Sequence, residues 1–199
     1  VGVRPSPGVE IEFEPRYSRE QTASQYVTAT DDIGYGPTFG RRYIFSDLKR
    51  HSVSFETRVN MAFTPKLSLQ LFAQPLFSTG DYLTYKALER SESFDFDVHA
   101  TPAPDPDDPD GIVQAFDFDG DGVTDFDTSD RDFNIRSLRL NMVLRWEYRP
   151  GSTVFFVWQQ SRRNRRNDGS FSFRRDFNAL WSAESENFFI VKFNYWFGV

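Results

Sequence analysis

The chain has 199 residues, of which 39% are hydrophobic, and its net charge is -6. That length suits one domain with a real core, and the charge argues against nucleic-acid binding, which needs a basic surface. The absence of Cys removes thiolate metal sites, a Cys nucleophile and disulfides, and no run approaches the roughly 20 apolar residues of a membrane helix.

The apolar share is spent on aromatics: 22 Phe, 8 Tyr and 4 Trp. These residue types favour strands and interfaces, so the chain is expected to be all-β. It begins Val-Gly-Val with no charged-then-apolar leader, which suggests a processed chain or a piece of a longer one.

Period-two alternation places the strands in chain order. Val9, Ile11, Phe13 and Tyr17 alternate with Glu10, Glu12, Glu14 and Arg16. A long polar stretch, 22–42, follows. Val53, Phe55, Thr57, Val59, Met61 and Phe63 then lead through "TPK" to Leu67, Leu69, Leu71, Ala73, Pro75 and Phe77, a hairpin on a tight turn. After a second long stretch, 78–134, comes "LRLNMVLRWEY": Leu138, Leu140, Met142, Leu144, Trp146 and Tyr148 share one face, and Arg139, Asn141, Arg145 and Glu147 the other. "RPGS" turns it into Val154, Phe156 and Trp158. A third long stretch, 162–187, precedes the final run of Phe189, Val191, Phe193, Tyr195, Phe197 and Val199.

Six up-and-down strands with strictly alternating long and short connections put every long loop at one end of the sheet. That asymmetry, with alternation sustained for about 11 residues, is the pattern of an antiparallel outer-membrane β-barrel with long extracellular loops. Aromatics sit at both ends of the runs, as interfacial girdles would: Phe63, Trp146, Tyr148, Tyr195 and Phe197 toward the turns, and Phe55, Phe77, Trp158 and Phe189 toward the loops. Because closed barrels of this kind have about 8 strands or more, residues 1–199 are expected to be the C-terminal part of one barrel domain, completed by preceding strands or by a partner chain. The rival is a soluble, calcium-dependent β-sandwich that binds glycans through exposed aromatics.

"YIFSDLKRHSVSFETRVNMAFTPKLSLQLFAQPLFSTGDY", "DFNIRSLRLNMVLRWEYRPGSTVFFVWQQSR" and "NFFIVKFNYWFGV" resemble the C-terminal barrel of a bacterial outer-membrane family classed as a domain of unknown function. The likeness covers roughly residues 40 to 199 and is most specific in "LRWEYRPGST". Members of that family often carry an N-terminal carbohydrate-binding domain of the family-nine type. The resemblance implies an outer-membrane location and a role as pore, anchor or export/uptake platform of a larger surface or periplasmic protein, with a link to carbohydrate handling. It implies no reaction, and sugar binding transfers to no residue of this chain.

The sharpest chemical motif is "DFDGDGVTDFD", residues 117–127. Asp117, Asp119, Asp121 and Asp125 fall at positions 1, 3, 5 and 9 of a calcium loop, Gly122 at the sharp turn of position 6, and the Val123 carbonyl at position 7. Position 12, normally Glu, is Thr128, so either Asp127 or Asp130 would have to substitute or affinity would be weak, as in extracellular modules. "PAPDPDDPDG" just upstream has the composition of a disordered segment. Arg162, Arg163, Arg165 and Arg166 lie where a strand leaves the bilayer, and their guanidinium forks suit lipopolysaccharide phosphates. His51 and His99 lie near Ser and Asp, but no spacing marks a catalytic triad, and no enzymatic activity is expected.

Overall fold

In the computed structural model the described residues are 1–31, 33–97, 100–104, 107 and 111–198. The strands are β1 (Gly2–Ser6), β2 (Val9–Thr30), β3 (Arg42–Thr64), β4 (Leu67–Leu88), β5 (Phe96–Asp97), β6 (Ala100–Pro104), β7 (Ile112–Phe116), β8 (Phe126–Ser129), β9 (Phe133–Arg149), β10 (Ser152–Arg166) and β11 (Ser185–Asn194). Among the described residues the α-helix, α1 (Phe173–Ser182), lies between β10 and β11, and a short 3-10 turn, Gly36–Thr38, lies between β2 and β3. The fold is mostly β, and all its strand pairings are antiparallel.

The main sheet runs β1-β2-β3-β4-β9-β10-β11, with the short β5 pairing onto β4. Its six long strands are those read from the alternation. Between β3 and β4 only Pro65 and Lys66 turn the chain. Between β9 and β10 it is Pro150 and Gly151. Gly151 adopts φ +75, the conformation a Pro-Gly turn of type II requires at its third residue. The described residues between β2 and β3, between β4 and β9, and between β10 and β11 belong to connections at the opposite end.

Register shows what the alternation accomplishes. Ile11, Val59, Leu71, Met142, Trp158 and Phe189 form one cross-strand row, and Val9, Met61, Leu69, Leu144, Phe156 and Val191 the next. One residue along, the other face carries Glu12, Arg58, Phe72, Asn141, Gln159 and Phe188. One face is thus an apolar belt continuous over six strands. The other is mainly polar, with Arg58 ion-paired to Glu56 at 2.7 Å and lying over the Phe72 ring.

Three strands are much longer than the belt. β2 and β4 continue through Thr22–Thr30 and Ser78–Leu88, where the sequence reads as loop, and β3 begins at Arg42, well before the alternation that starts at Val53. The backbone ladder persists there after the hydrophobic alternation has ended, with bulges shifting the register near Thr22, Tyr26 and Ser46.

Two small cores form above the belt, on opposite faces of the sheet. On the polar side the three-stranded sheet β6-β7-β8 packs Phe116 against Ile44, Tyr85 and Ala87, with Phe118 and Phe126 beside them. On the apolar side α1 lays Leu180 on Phe77 and Leu138, with Phe55 alongside. This helix stands within 162–187, where the sequence reads as loop. Its Phe173, Phe177, Leu180 and Trp181 recur at helical spacing, a signal that the surrounding Arg, Asn and Ser obscure.

The main sheet is open. β11 ends it on one side, and on the other the short β1 covers only the first residues of β2. Among the described residues no pairing joins the two edges, and Phe189, Val191 and Phe193 of β11 are 74%, 65% and 61% exposed.

Candidate functional site

The acidic motif is the connection of the β7–β8 hairpin. Phe116 pairs with Phe126 at its base, and the Asp125 N–H donates to the Phe116 carbonyl at 2.8 Å. Within the loop the carboxylates gather backbone donors. Asp117 accepts from Gly120 N at 2.7 Å and Gly122 N at 2.9 Å, Asp119 from Asp121 N at 3.1 Å, and Asp125 from Phe118 N at 2.8 Å. Gly122 stands at φ +88, a left-handed conformation that side chains disfavour. The Gly122 N–H and the further loop donors hold the Asp117 carboxyl below the usual carboxylate range.

Asp117, Asp119 and Asp125 each offer an oxygen within 4.8 Å of the others, a cluster that could hold a metal ion. The donor set fits a hard cation, being carboxylate oxygen only. Asp121, at position 5, is not in this cluster; its Oδ1 accepts from Val123 N at 2.8 Å. Thr128 is buried in β8 opposite Gln114, and Asp130 accepts the Tyr85 hydroxyl at 3.1 Å, so neither Thr128 nor Asp130 turns to the loop. Asp127 remains exposed on β8. Of the upstream "PAPDPDDPDG" stretch, expected to be disordered, Pro102–Pro104 instead complete strand β6 against β7, while 105, 106 and 108–110 lie outside the described residues, as do His99 and Val199.

The loop is tied to the rim of the sheet. The guanidinium of Arg42, the first residue of β3, is sandwiched between Tyr35 at 3.8 Å and Phe118 at 4.2 Å. Phe118 is the residue whose N–H binds Asp125, so the ring contact and the carboxylate share one residue.

The four arginines do not form one patch. β10 continues to Arg166, so alternation sends Arg162 and Arg166 to the face that carries α1, and Arg163 and Arg165 to the other. Arg162 caps the C-terminal end of α1, donating to the carbonyls of Trp181 and Ala183, where a cation also complements the helix dipole. Arg163 lines a cleft with Ser161, Glu184 and Glu186. His51, in β3, shares a 3.3 Å hydrogen bond with the Tyr17 hydroxyl across the β2–β3 pair.

A cluster that strand reading misses holds α1 to the sheet. Arg136 and Asp176 are both fully buried and paired at 2.7 Å. Asp176 Oδ1 also accepts from Asn134 at 3.2 Å and from Arg175 at 3.0 Å, while Oδ2 accepts from Ser172 N at 2.9 Å. Arg136 donates in addition to Asn164 Oδ1 at 2.6 Å. Burial opposes ionisation of Asp176, but the donors from Ser172, Arg175, Asn134 and Arg136 outweigh it and hold its carboxyl below the ordinary value.

A second rim carboxylate behaves oppositely. Asp132 accepts from Tyr82 N at 2.7 Å and Gly169 N at 3.2 Å, joining β4 to the 167–172 segment. Burial, reinforced by the nearby Asp130 and Asp81, pushes it up from 3.8 to about 6. With a raised folded-state pKa, its contribution to stability is full below the unfolded value and is lost as pH rises through about 6. The Gly169 amide is therefore expected to exchange more slowly at pH 5 than at pH 7.5 after correction for intrinsic rates. Equal protection at both pH values would show that Asp132 is not the group that tightens this junction.

No curated protein and no solved structure matches the chain. A family model, the domain of unknown function DUF5916, matches residues 3–199, a span that includes β2 and the first long connection as well as the stretches quoted above. The chain therefore belongs to the DUF5916 family.

Proposed function

We propose that this chain is part of a transmembrane β-barrel of the bacterial outer membrane, serving as the pore, anchor or export/uptake platform of a larger surface or periplasmic protein. The observation that carries the reading is the apolar belt, in register across six strands, with two-residue turns at one end and long connections at the other. About 11 residues at about 3.3 Å each, tilted by about 45°, make a band near 25 Å tall, the height of the lipid-facing band of such barrels. Aromatics cluster at its turn end, where Tyr148 stacks on Phe193 at 5.4 Å and Tyr195 meets Phe197 at 4.5 Å, whereas Trp158 and Phe189, expected on the loop side, stack at 6.2 Å within the belt, in the row of Leu71 and Met142.

The open edges of β2 and β11 are the places where further strands, from a longer chain or a partner, would pair, since backbone groups facing lipid must be satisfied. A soluble sandwich would cover the belt with a second sheet, whereas the three-stranded sheet packs above the belt on the polar face. The resemblance to barrels joined to family-nine-type carbohydrate-binding domains supports a link with carbohydrate handling.

In cell fractionation the protein is expected in the outer membrane and should stay there after an alkaline carbonate wash. Release into the soluble fraction would sink the proposal.

Within this reading the β7–β8 loop is a calcium site, with Asp117, Asp119 and Asp125 as ligands. Its exposure and lack of a bidentate Glu suit the weak, roughly 10⁻⁴ to 10⁻³ M affinity of extracellular modules. The ion would draw the carboxylates together and stiffen the hairpin. Calorimetric titration should show saturable calcium binding in this range, abolished by Asp117→Ala and retained in Asp108→Ala, which lies outside the calcium spacing. Equal behaviour of the two variants, or no heat in the wild type, would leave only a charged loop.

A further inference from the structure

The structure assigns a partner to helix α1: we propose that it is an interfacial anchor whose aromatic flank enters the headgroup–acyl boundary of the bilayer. This rests on the belt facing lipid and adds a second lipid contact of a different kind. At 100° per residue, Asp176 and Leu180 form the flank pressed onto the sheet, and Phe173, Phe177 and Trp181 form the flank beside it. Those three aromatics are 51%, 39% and 48% exposed, although Phe173 stacks on Phe177 at 5.8 Å and Phe177 meets Trp181 edge to face at 5.9 Å. Asn178, Ser182 and Arg175 occupy the remaining, polar side of the helix.

Three observations choose lipid over a protein partner. First, the aromatic flank is continuous with the belt: Phe173 lies 5.9 Å from Phe77, and Leu180 packs on Phe77 and Leu138, which end the belt on β4 and β9. Second, the helix sits where the sheet face turns from apolar to polar, since Arg162 stands opposite Leu138, Arg136 opposite Phe77 and Asn164, and Asn134 follows on the loop side. That level is the one Trp and Phe of amphipathic helices occupy in a bilayer. Third, cations flank the stripe, with Arg162 lying over the Trp181 ring at 5.4 Å and Arg174 exposed beside Phe173, matching anionic headgroups. The buried Arg136–Asp176 pair holds the helix against the sheet and so fixes the depth of the stripe.

The chain has no Cys, so single spin labels report depth without background. Labels at Phe177→Cys, Trp181→Cys, Asn178→Cys and Leu140→Cys would be compared in phosphatidylethanolamine–phosphatidylglycerol vesicles by collision with oxygen, which enriches in lipid, and with a nickel chelate, which stays in water. The expected oxygen-to-nickel ratio is highest at Leu140, several-fold lower but clearly above water at Phe177 and Trp181, and aqueous at Asn178. Aqueous values at both Phe177 and Trp181 with a lipid value at Leu140 would overturn the anchor and leave the barrel reading standing. An aqueous Leu140 would overturn the barrel reading, and the anchor with it.

Discussion

Asp176→Ala is expected to detach helix α1 from the sheet. Arg136 has no solvent exposure and shares Asp176 with Asn134 and Arg175. Removing the carboxylate leaves a buried guanidinium with only Asn164 as a charge-neutral acceptor, and breaking such a pair from one side costs about 3 to 5 kcal/mol. The strand ladder of β9 does not depend on this pair, so the loss should be local: the helix should release so that Arg136 can hydrate. Hydrogen exchange is the measurement, with protection lost across Phe173–Ser182 and kept across Leu138–Tyr148. The double variant Arg136→Met with Asp176→Leu removes both charges and should recover most of the protection, because a well-packed apolar pair at a buried site is often neutral or stabilising. Unchanged protection in Asp176→Ala would mean that the helix is held by Leu180 and Phe173 alone.

The second large effect concerns the belt. Leu140 and Asn141 are neighbours on β9, yet Leu140 lies opposite Ala73 and Gln160 on the apolar face, and Asn141 opposite Phe72 and Gln159 on the other. An arginine on the lipid side near the midplane costs about 2 to 4 kcal/mol. If the proposed barrel holds, Leu140→Arg should therefore lower the urea midpoint of the vesicle-reconstituted protein strongly, while Asn141→Arg, beside the Arg139 and Arg145 positions of its own face, should change it little. Equal losses from the two substitutions would contradict the assignment of faces.

Much of the sheet is legible in the sequence wherever one face is apolar and the other polar. Val53–Phe63, Leu67–Phe77 and Leu138–Tyr148 announce their strands, their faces and even their pairing, because a one-residue slip would turn every apolar side chain to the wrong side. The outer halves of β2, β3 and β4 are not legible in this way. Above the belt no face is uniformly apolar, so Ser18–Thr30 and Ser78–Leu88 lose the period while the backbone goes on pairing. Helix α1 hides for a related reason: what binds it is largely a charge pair between Arg136, which reads as an ordinary strand residue, and Asp176, 40 positions away. In the acidic loop, spacing locates the cluster and the hairpin fixes its shape. The direction of the Asp121 side chain depends on which N–H it finds, Val123, and periodicity carries no information about that.

The direction of the strands also restricts how the sheet can be completed. β2 leaves the short-turn end and climbs toward the loops, the next strands alternate, and β11 therefore descends. The two margins point in opposite senses. If every new contact is antiparallel, only an even number of staves fits between them, counting the short β1 as one because it descends beside β2. An odd insertion would force one parallel seam. Two additional staves would bring the six long ones to the smallest common closed cylinder of about eight, and larger cylinders would grow from this chain in steps of two.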